Sequence, residues 1–221
     1  MGGKAIGILL AGGVGSRFKG DKPKQYYQIH GREMISYTIE AFRKSESLAD
    51  FVVVLDEQEF QDGRLAREYG VRTVQGGKTR NHSLKNALDY ISVNFPDCAK
   101  VIENNAACPM LKPHVVDEII ALLDDYDFVQ CTYKITDALG SYKTRLVNRE
   151  DYFLIQSPDA YRFPLLYRHF DPENPIGHPA VQLPGEAKGY NYFDFQPNFK
   201  VTYPEDLRIV ELLMERGREA K

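Results

Sequence analysis

The sequence predicts a three-layer α/β fold: a mainly parallel sheet with helices on both faces. Short apolar runs suited to buried strands recur along the chain, and segments with helical spacing of apolar residues lie between them. No low-complexity linker or internal repeat divides the 221 residues. A single hydrophobic core keeps growing to roughly 250 residues, so residues 1–221 are read as one domain.

Five runs supply the expected strands: Ala5–Leu10, Phe51–Leu55, Val71–Val74, Lys100–Glu103 and Phe128–Tyr133. Ile35, Ile39 and Phe42 share one face of an intervening helix. Leu84, Leu88 and Ile91 mark a second, and Val115, Ile119, Leu122 and Leu123 a third. The rhythm breaks after Tyr133. Ile135–Val147 alternates around Gly140 and Ser141 and reads as a hairpin-like part of a small β-arm near residues 134–153. Such an arm cannot bury both faces by itself, so a homodimer joined through it is expected. Tyr190–Tyr203 reads as a late strand or strand pair. Pro204, Glu205 and Asp206 suit the start of a closing helix through Leu207, Ile209, Val210, Leu213 and Met214.

The hydrophobic share of 43%, the charged share of 27% and a net charge of −3 exclude a whole-surface attraction for nucleic acid or anionic membrane. No apolar run reaches membrane-spanning length, and the N-terminus carries no signal-peptide pattern. Cys98, Cys108 and Cys131 are an odd, scattered set that suits reduced thiols. A cytoplasmic protein without nucleic-acid or membrane partners is expected.

The strongest chemical signal is Leu10-Ala11-Gly12-Gly13-Val14-Gly15-Ser16-Arg17, followed by Lys22-Pro23-Lys24-Gln25. An apolar strand empties into a glycine-rich loop, where backbone N–H groups can approach phosphate oxygens unobstructed by Cβ atoms. Arg17, Lys19, Lys22 and Lys24 then offer charge to a polyphosphate. Spacing excludes the rivals. A dinucleotide fingerprint or kinase loop would need a glycine at Phe18, and a Walker loop ending at Gly77-Lys78-Thr79 would need one at Arg72. The five histidines have no metal-ligand spacing.

The loop with Arg17 and Pro23-Lys24-Gln25 resembles the cytidylyltransferases that act on methylerythritol 4-phosphate and ribitol 5-phosphate. Further matches follow in order: Gly76-Gly77-Lys78-Thr79-Arg80-Asn81-His82-Ser83, Ala106-Ala107 with Pro109, Ser157-Pro158, and Asn198-Phe199-Lys200-Val201-Thr202 before Pro204-Glu205-Asp206-Leu207. The resemblance spans nearly the whole chain and implies a Rossmann-like nucleotidyltransferase sheet. The form Ala11-Gly12-Gly13 is closer to the ribitol-phosphate branch.

The resemblance also implies roles. Arg17, Lys24 and Lys200 would be the catalytic cations around the triphosphate. Leu10, Ala11, Gly12, Gly13, Gly15 and Asn105 would line the nucleotide, while Gly76, Gly77, Arg80 and Ser83 would meet its base or ribose. Arg149, in the arm, would reach a substrate phosphate across a dimer. CTP and a small phosphorylated acceptor are the implied partners, with Mg²⁺ as cofactor.

The departures lie in the metal and acceptor sites. Where the family reads His-Asp-(Ala or Ser)-(Ala or Val)-Arg-Pro, this chain has Asn104-Asn105-Ala106-Ala107-Cys108-Pro109. Pro197 replaces a second acid, Ala138 replaces the arm threonine, and Gly177-His178-Pro179 stands where the family has Thr-Asp. An amide is a poorer Mg²⁺ ligand than a carboxylate, so weak protein ligation is expected, with Glu103 and Asp194 the nearest acids. Three functions follow: a cytidylyltransferase making a CDP-linked polyol or sugar alcohol, a nucleotidyltransferase with another acceptor in surface-polysaccharide assembly, and a non-catalytic nucleotide-binding homologue.

Overall fold

The computed structural model describes residues 3–13, 15, 17–193 and 198–219, with side chains through residue 215. One sheet forms its centre, with strands β1 (Lys4–Leu10), β4 (Leu48–Leu55), β5 (Arg72–Gln75), β6 (Cys98–Asn105), β7 (Phe128–Lys134), β8 (Phe153–Arg162) and β9 (Gly189–Tyr192). The spatial order is β5-β4-β1-β6-β8-β7-β9. Only β8 runs against the others, so the sheet is mainly parallel as predicted. Two short strands, β2 (Gln28–Ile29) and β3 (Arg32–Glu33), pair as a separate hairpin.

The helices are α1 (Met34–Lys44), α2 (Glu57–Asp62), α3 (Arg64–Tyr69), α4 (Arg80–Asn94), α5 (Pro113–Leu122), α6 (Phe163–His169) and α7 (Pro204–Glu219). Alternation along the strands sorts them onto two faces. Leu9, Val53 and Leu55 pack with Ile35, Ile39 and Phe42 of α1 and with Val115, Val116 and Ile119 of α5. Ile6, Ile8, Leu10, Val52 and Val54 pack with Leu84, Leu88 and Ile91 of α4 and with Phe163 and Leu166 of α6. Gly7 lets α1 sit close to the sheet, since a Cβ there would come 2.9 Å from the Phe42 ring.

Three local expectations change. Ile135–Val147 holds no strand; pairing stops at Lys134↔Phe153, so the strand-paired part of this region is the extended ends of β7 and β8. β8 itself was hidden by Pro158 and by its polar residues, because a proline removes a ladder donor. The β7–β8 register shifts between Gln130 and Cys131, and Ser157-Pro158 is passed over in the pairing. The late strand is confined to Gly189–Tyr192. Asp194 and Pro197 lie outside the described residues, and 198–203 are not strand.

A third apolar cluster binds the two ends of the chain. Phe18, Ile29 and Met34 pack with Val201 and with Val210 of α7, flanked by Phe199 and Leu207. The helix starts where the sequence placed it: the Asp206 carboxylate accepts from the N–H groups of Thr202 (2.7 Å) and Tyr203 (2.8 Å).

Candidate active site

The carboxyl ends of β1, β4, β5 and β6 open into a cleft of about 730 Å³. The chain leaves β1 for β4 on one side, while β6 lies on the other, so the loops diverge there and leave a crevice. Every residue that the family resemblance assigned to catalysis or to the nucleotide lines this cleft, whereas Lys19 and Lys22, also read as charge for a polyphosphate, are not among its lining residues. Nor does Arg149 line it. It stands in a single turn at Arg149–Asp151, where its guanidinium donates to the Thr136 carbonyl and, at 3.2 Å, to Glu150.

At one end of the cleft lies the glycine loop. Ala11 N donates to Val54 O (2.8 Å) and Ala106 N to Leu10 O (3.0 Å), so β1 stays paired up to the point where the loop departs. Gly12 runs against the β4 end, where a Cβ would come 3.2 Å from Asp56 N. Gly15 takes a φ of +67°, which glycine adopts without strain. Val14 and Ser16 lie outside the described residues. Buried Gln25 donates its Nε2 to Ala11 O at 2.6 Å, so the glutamine of Pro-Lys-Gln is a brace beneath the loop.

Three cations meet here. Lys24 Nζ donates to Val201 O at 2.8 Å, which ties the loop to the segment carrying Lys200. Burial pushes the Lys24 ammonium below its ordinary pKa, and the charges of Lys200 and Arg17 push the same way. Among the described residues none of the three has a carboxylate partner within ion-pair distance. Like charges gathered without a carboxylate in ion-pair contact make a receptor for a polyanion.

The other end is built by the β5–α4 turn. Gly76 N donates to Leu55 O at 2.7 Å, and a Cβ on Gly77 would come 2.4 Å from the His82 Cβ. Ser83 Oγ accepts from Gly77 N (3.1 Å), and Thr79 caps α4 by accepting from His82 N. Arg80 reaches toward β6, donating to Glu103 Oε1 at 2.7 Å and to Gly177 O at 2.6 Å. On β8, Asp159 stands opposite Glu103; burial raises its carboxyl pKa to about 6, while His178 lies 3.5 Å away.

The altered metal loop is fastened by amides. Strand β6 extends to Asn105, so Glu103 and Asn105 share a face. Asn105 Oδ1 accepts from Ala107 N at 3.0 Å. Asn198 donates to Asn104 Oδ1 (3.1 Å) and Ser157 O (3.1 Å) and accepts from Met110 N (3.0 Å). Burial pushes the Cys108 thiol up to about 12, leaving it inert. Among the described residues no three His, Cys, Asp or Glu side chains come together as metal ligands, and Glu103 is held by Arg80. This donor set does not fit a Mg²⁺ ion caged by protein carboxylates.

The sequence reading missed Asp56 and Glu57, which also line the cleft. Their signal was present: Asp56 ends the β4 apolar run and caps α2, accepting from Glu59 N at 3.1 Å. It also missed the partners of Arg80 and the bracing role of Asn198.

A switch-point crevice with a glycine loop and three convergent cations at one end defines an α/β nucleotidyltransferase. The family model for 2-C-methyl-D-erythritol 4-phosphate cytidylyltransferase matches residues 5–216, and the chain belongs to that family. A relative of that name from Thermosipho melanesiensis is 26% identical over 219 residues, covering 93% of this chain and 95% of its own. One from Clostridium kluyveri is 29% identical over 225 residues, covering 92% and 94%. The bifunctional ribulose 5-phosphate reductase/CDP-ribitol pyrophosphorylase of Haemophilus influenzae is 27% identical over 231 residues, covering 96% of this chain and 48% of that protein. The fold agrees with that of 4-diphosphocytidyl-2C-methyl-D-erythritol synthase from Anaerococcus prevotii, at a TM-score of 0.80 and 18% identity over 97% of each chain.

Proposed function

We propose that the protein transfers the cytidylyl group of CTP to the phosphate of a polyol or sugar alcohol and releases pyrophosphate. The observation that carries this reading is the convergence of Arg17, Lys24 and Lys200, unpaired among the described residues, beside a glycine loop. An acceptor phosphate oxygen attacks the α-phosphorus, and the pyrophosphate leaves with its bonding electrons. Such a transfer needs positioning and charge stabilisation rather than a protein nucleophile. Mg²⁺ would come with the triphosphate rather than from a protein carboxylate cage, and its charge would ease the departure of pyrophosphate. A second copy of the chain supplies Arg149 to the acceptor phosphate, and the exposed Tyr142, Leu146, Tyr152 and Leu154 of the arm region are the apolar surface that dimerisation would cover. Three buried, unpaired cysteines suit a reducing cytoplasm.

The amide at Asn105 favours a second reading, a homologue that binds CTP without turning it over. Measuring pyrophosphate release from each nucleotide across a panel of polyol and sugar-alcohol phosphates separates the two. Turnover by CTP with one such acceptor supports the transferase; no release with any pair rejects it.

CTP is expected to bind more tightly than ATP or GTP, because Gly76–Ser83 resembles the family's pyrimidine contact. Equal or better calorimetric binding of a purine triphosphate would contradict this. Asn105→Asp is expected to lower the Mg²⁺ concentration needed by the CTP complex, since a carboxylate adds charge that a hard cation favours. Identical Mg²⁺ titrations of the two proteins would show that position 105 does not face the metal.

A further inference from the structure

The two ends of the cleft treat positive charge in opposite ways. Arg17, Lys24 and Lys200 have no carboxylate within ion-pair distance among the described residues. At the Gly76–Ser83 end the described arginine and lysine each have a carboxylate partner. Arg80 is bound to Glu103 at 2.7 Å, while Lys78 (3.1 Å) and His82 (2.9 Å) both meet Glu173. The Glu103 side chain is 3% exposed and Arg80 is 38% exposed, so a buried carboxylate offsets a guanidinium that still faces the cleft. Burial alone would disfavour the Glu103 charge, and the short bond from Arg80 supplies its compensation. The remaining titratable groups here, Asp159, His178 and Tyr161, add no fixed positive charge.

A nucleoside triphosphate has the same asymmetry. Its phosphates carry several negative charges, and its base carries none. We propose that Glu103 is a specificity-determining residue: by offsetting Arg80 it leaves the Gly76–Ser83 end without net positive charge, so that end admits an uncharged base and rejects polyphosphate. Glu103 thereby fixes which way round the nucleotide lies. It acts through Arg80 and is a positioning residue, not a group that touches the reacting atoms. The Gly177 carbonyl, at 2.6 Å from Arg80, holds the same guanidinium from the loop between α6 and β9. The inference rests on the reading of this cleft as a CTP site.

The test is Glu103→Gln, which keeps the shape and an acceptor oxygen for Arg80 but removes the charge. Arg80 then keeps only the buried Asp159 as an acidic neighbour, and its guanidinium competes for phosphate. Inorganic tripolyphosphate should bind about tenfold more tightly than to wild type, as one added favourable charge implies. Reversed, unproductive binding of CTP should lower kcat and KM together, with kcat/KM changed far less. A merely structural role would instead lower kcat/KM and leave tripolyphosphate binding unmoved. Glu103→Gln combined with Arg80→Gln should return tripolyphosphate affinity to the wild-type value. Glu173→Gln alters an exposed side chain, and should tighten tripolyphosphate binding in the same direction but less, because solvent screens it. Unchanged tripolyphosphate affinity in Glu103→Gln, measured by calorimetry on folded protein, overturns the proposal. Failure of wild type to bind CTP would instead overturn the CTP reading, and the tripolyphosphate comparison remains readable without it.

Discussion

Lys24→Ala and Arg17→Ala are each expected to lower kcat by about 30- to 1,000-fold with any substrate pair that the wild type turns over. The figure follows from a charge-assisted phosphate contact that strengthens in the transition state, worth roughly 2–4 kcal/mol. Lys24 is the more informative of the two. Its ammonium is held in place by the Val201 carbonyl at 2.8 Å, and burial with two neighbouring cations already disfavours its charge. A developing negative charge on the transferred phosphoryl group relieves that disfavour, so the interaction grows along the reaction coordinate. Steady-state kinetics, with circular dichroism to confirm folding, supplies the check. Near-wild-type kcat in either variant would remove that residue from the catalytic set.

Asn198→Ala is expected to destabilise the fold by about 2–4 kcal/mol, the penalty for leaving buried hydrogen-bonding groups unsatisfied. The Asn198 amide joins three pieces of chain: Asn104 at the end of β6, Met110 in the following loop, and Ser157 on β8. Its removal leaves Asn104, itself 1% exposed, without that donor. Urea unfolding should show a lower midpoint with an unchanged m value, as for a loss of stability without a change in compactness. The same variant should weaken CTP binding, because Lys200 stands two residues further on. A midpoint equal to wild type would show that the amide network is not a structural brace.

Much of the layout was legible because parallel strands buried on both faces are near-continuous apolar runs, and β1, β4 and β6 are of that kind. β8 was not, since its pairing is antiparallel and its polar residues and Pro158 interrupt the apolar pattern. The hairpin expected within the arm was misread for a related reason. Alternation within Ile135–Val147 suggested strands, but alternation stabilises a strand only where a partner edge exists, and no strand forms there among the described residues. At the site, the glycine loop and its cations were readable from local spacing. Gln25 under Ala11 and Asn198 against Asn104 were not assigned their bracing roles, because each depends on contacts between distant parts of the chain. The motif gave residue types; the partner of each side chain came only with the fold. Arg80 illustrates this, since its sequence neighbours say nothing of Glu103 on β6 or Gly177 in a later loop.

The bond from Lys24 to the Val201 carbonyl spans 177 positions of the chain. During synthesis the glycine loop with Arg17 and Lys24 is made well before the segment that carries Lys200, which follows β9. The apolar seam of Phe18 and Ile29 with Val201 and Val210 closes at that same late moment. A nascent chain therefore carries two of the three convergent cations until residue 200 has been made. Contacts of such long separation are also the slowest to form in refolding, because the intervening chain must be ordered first. On the reading proposed above, the nucleotide site is complete only once this long-separation contact has formed.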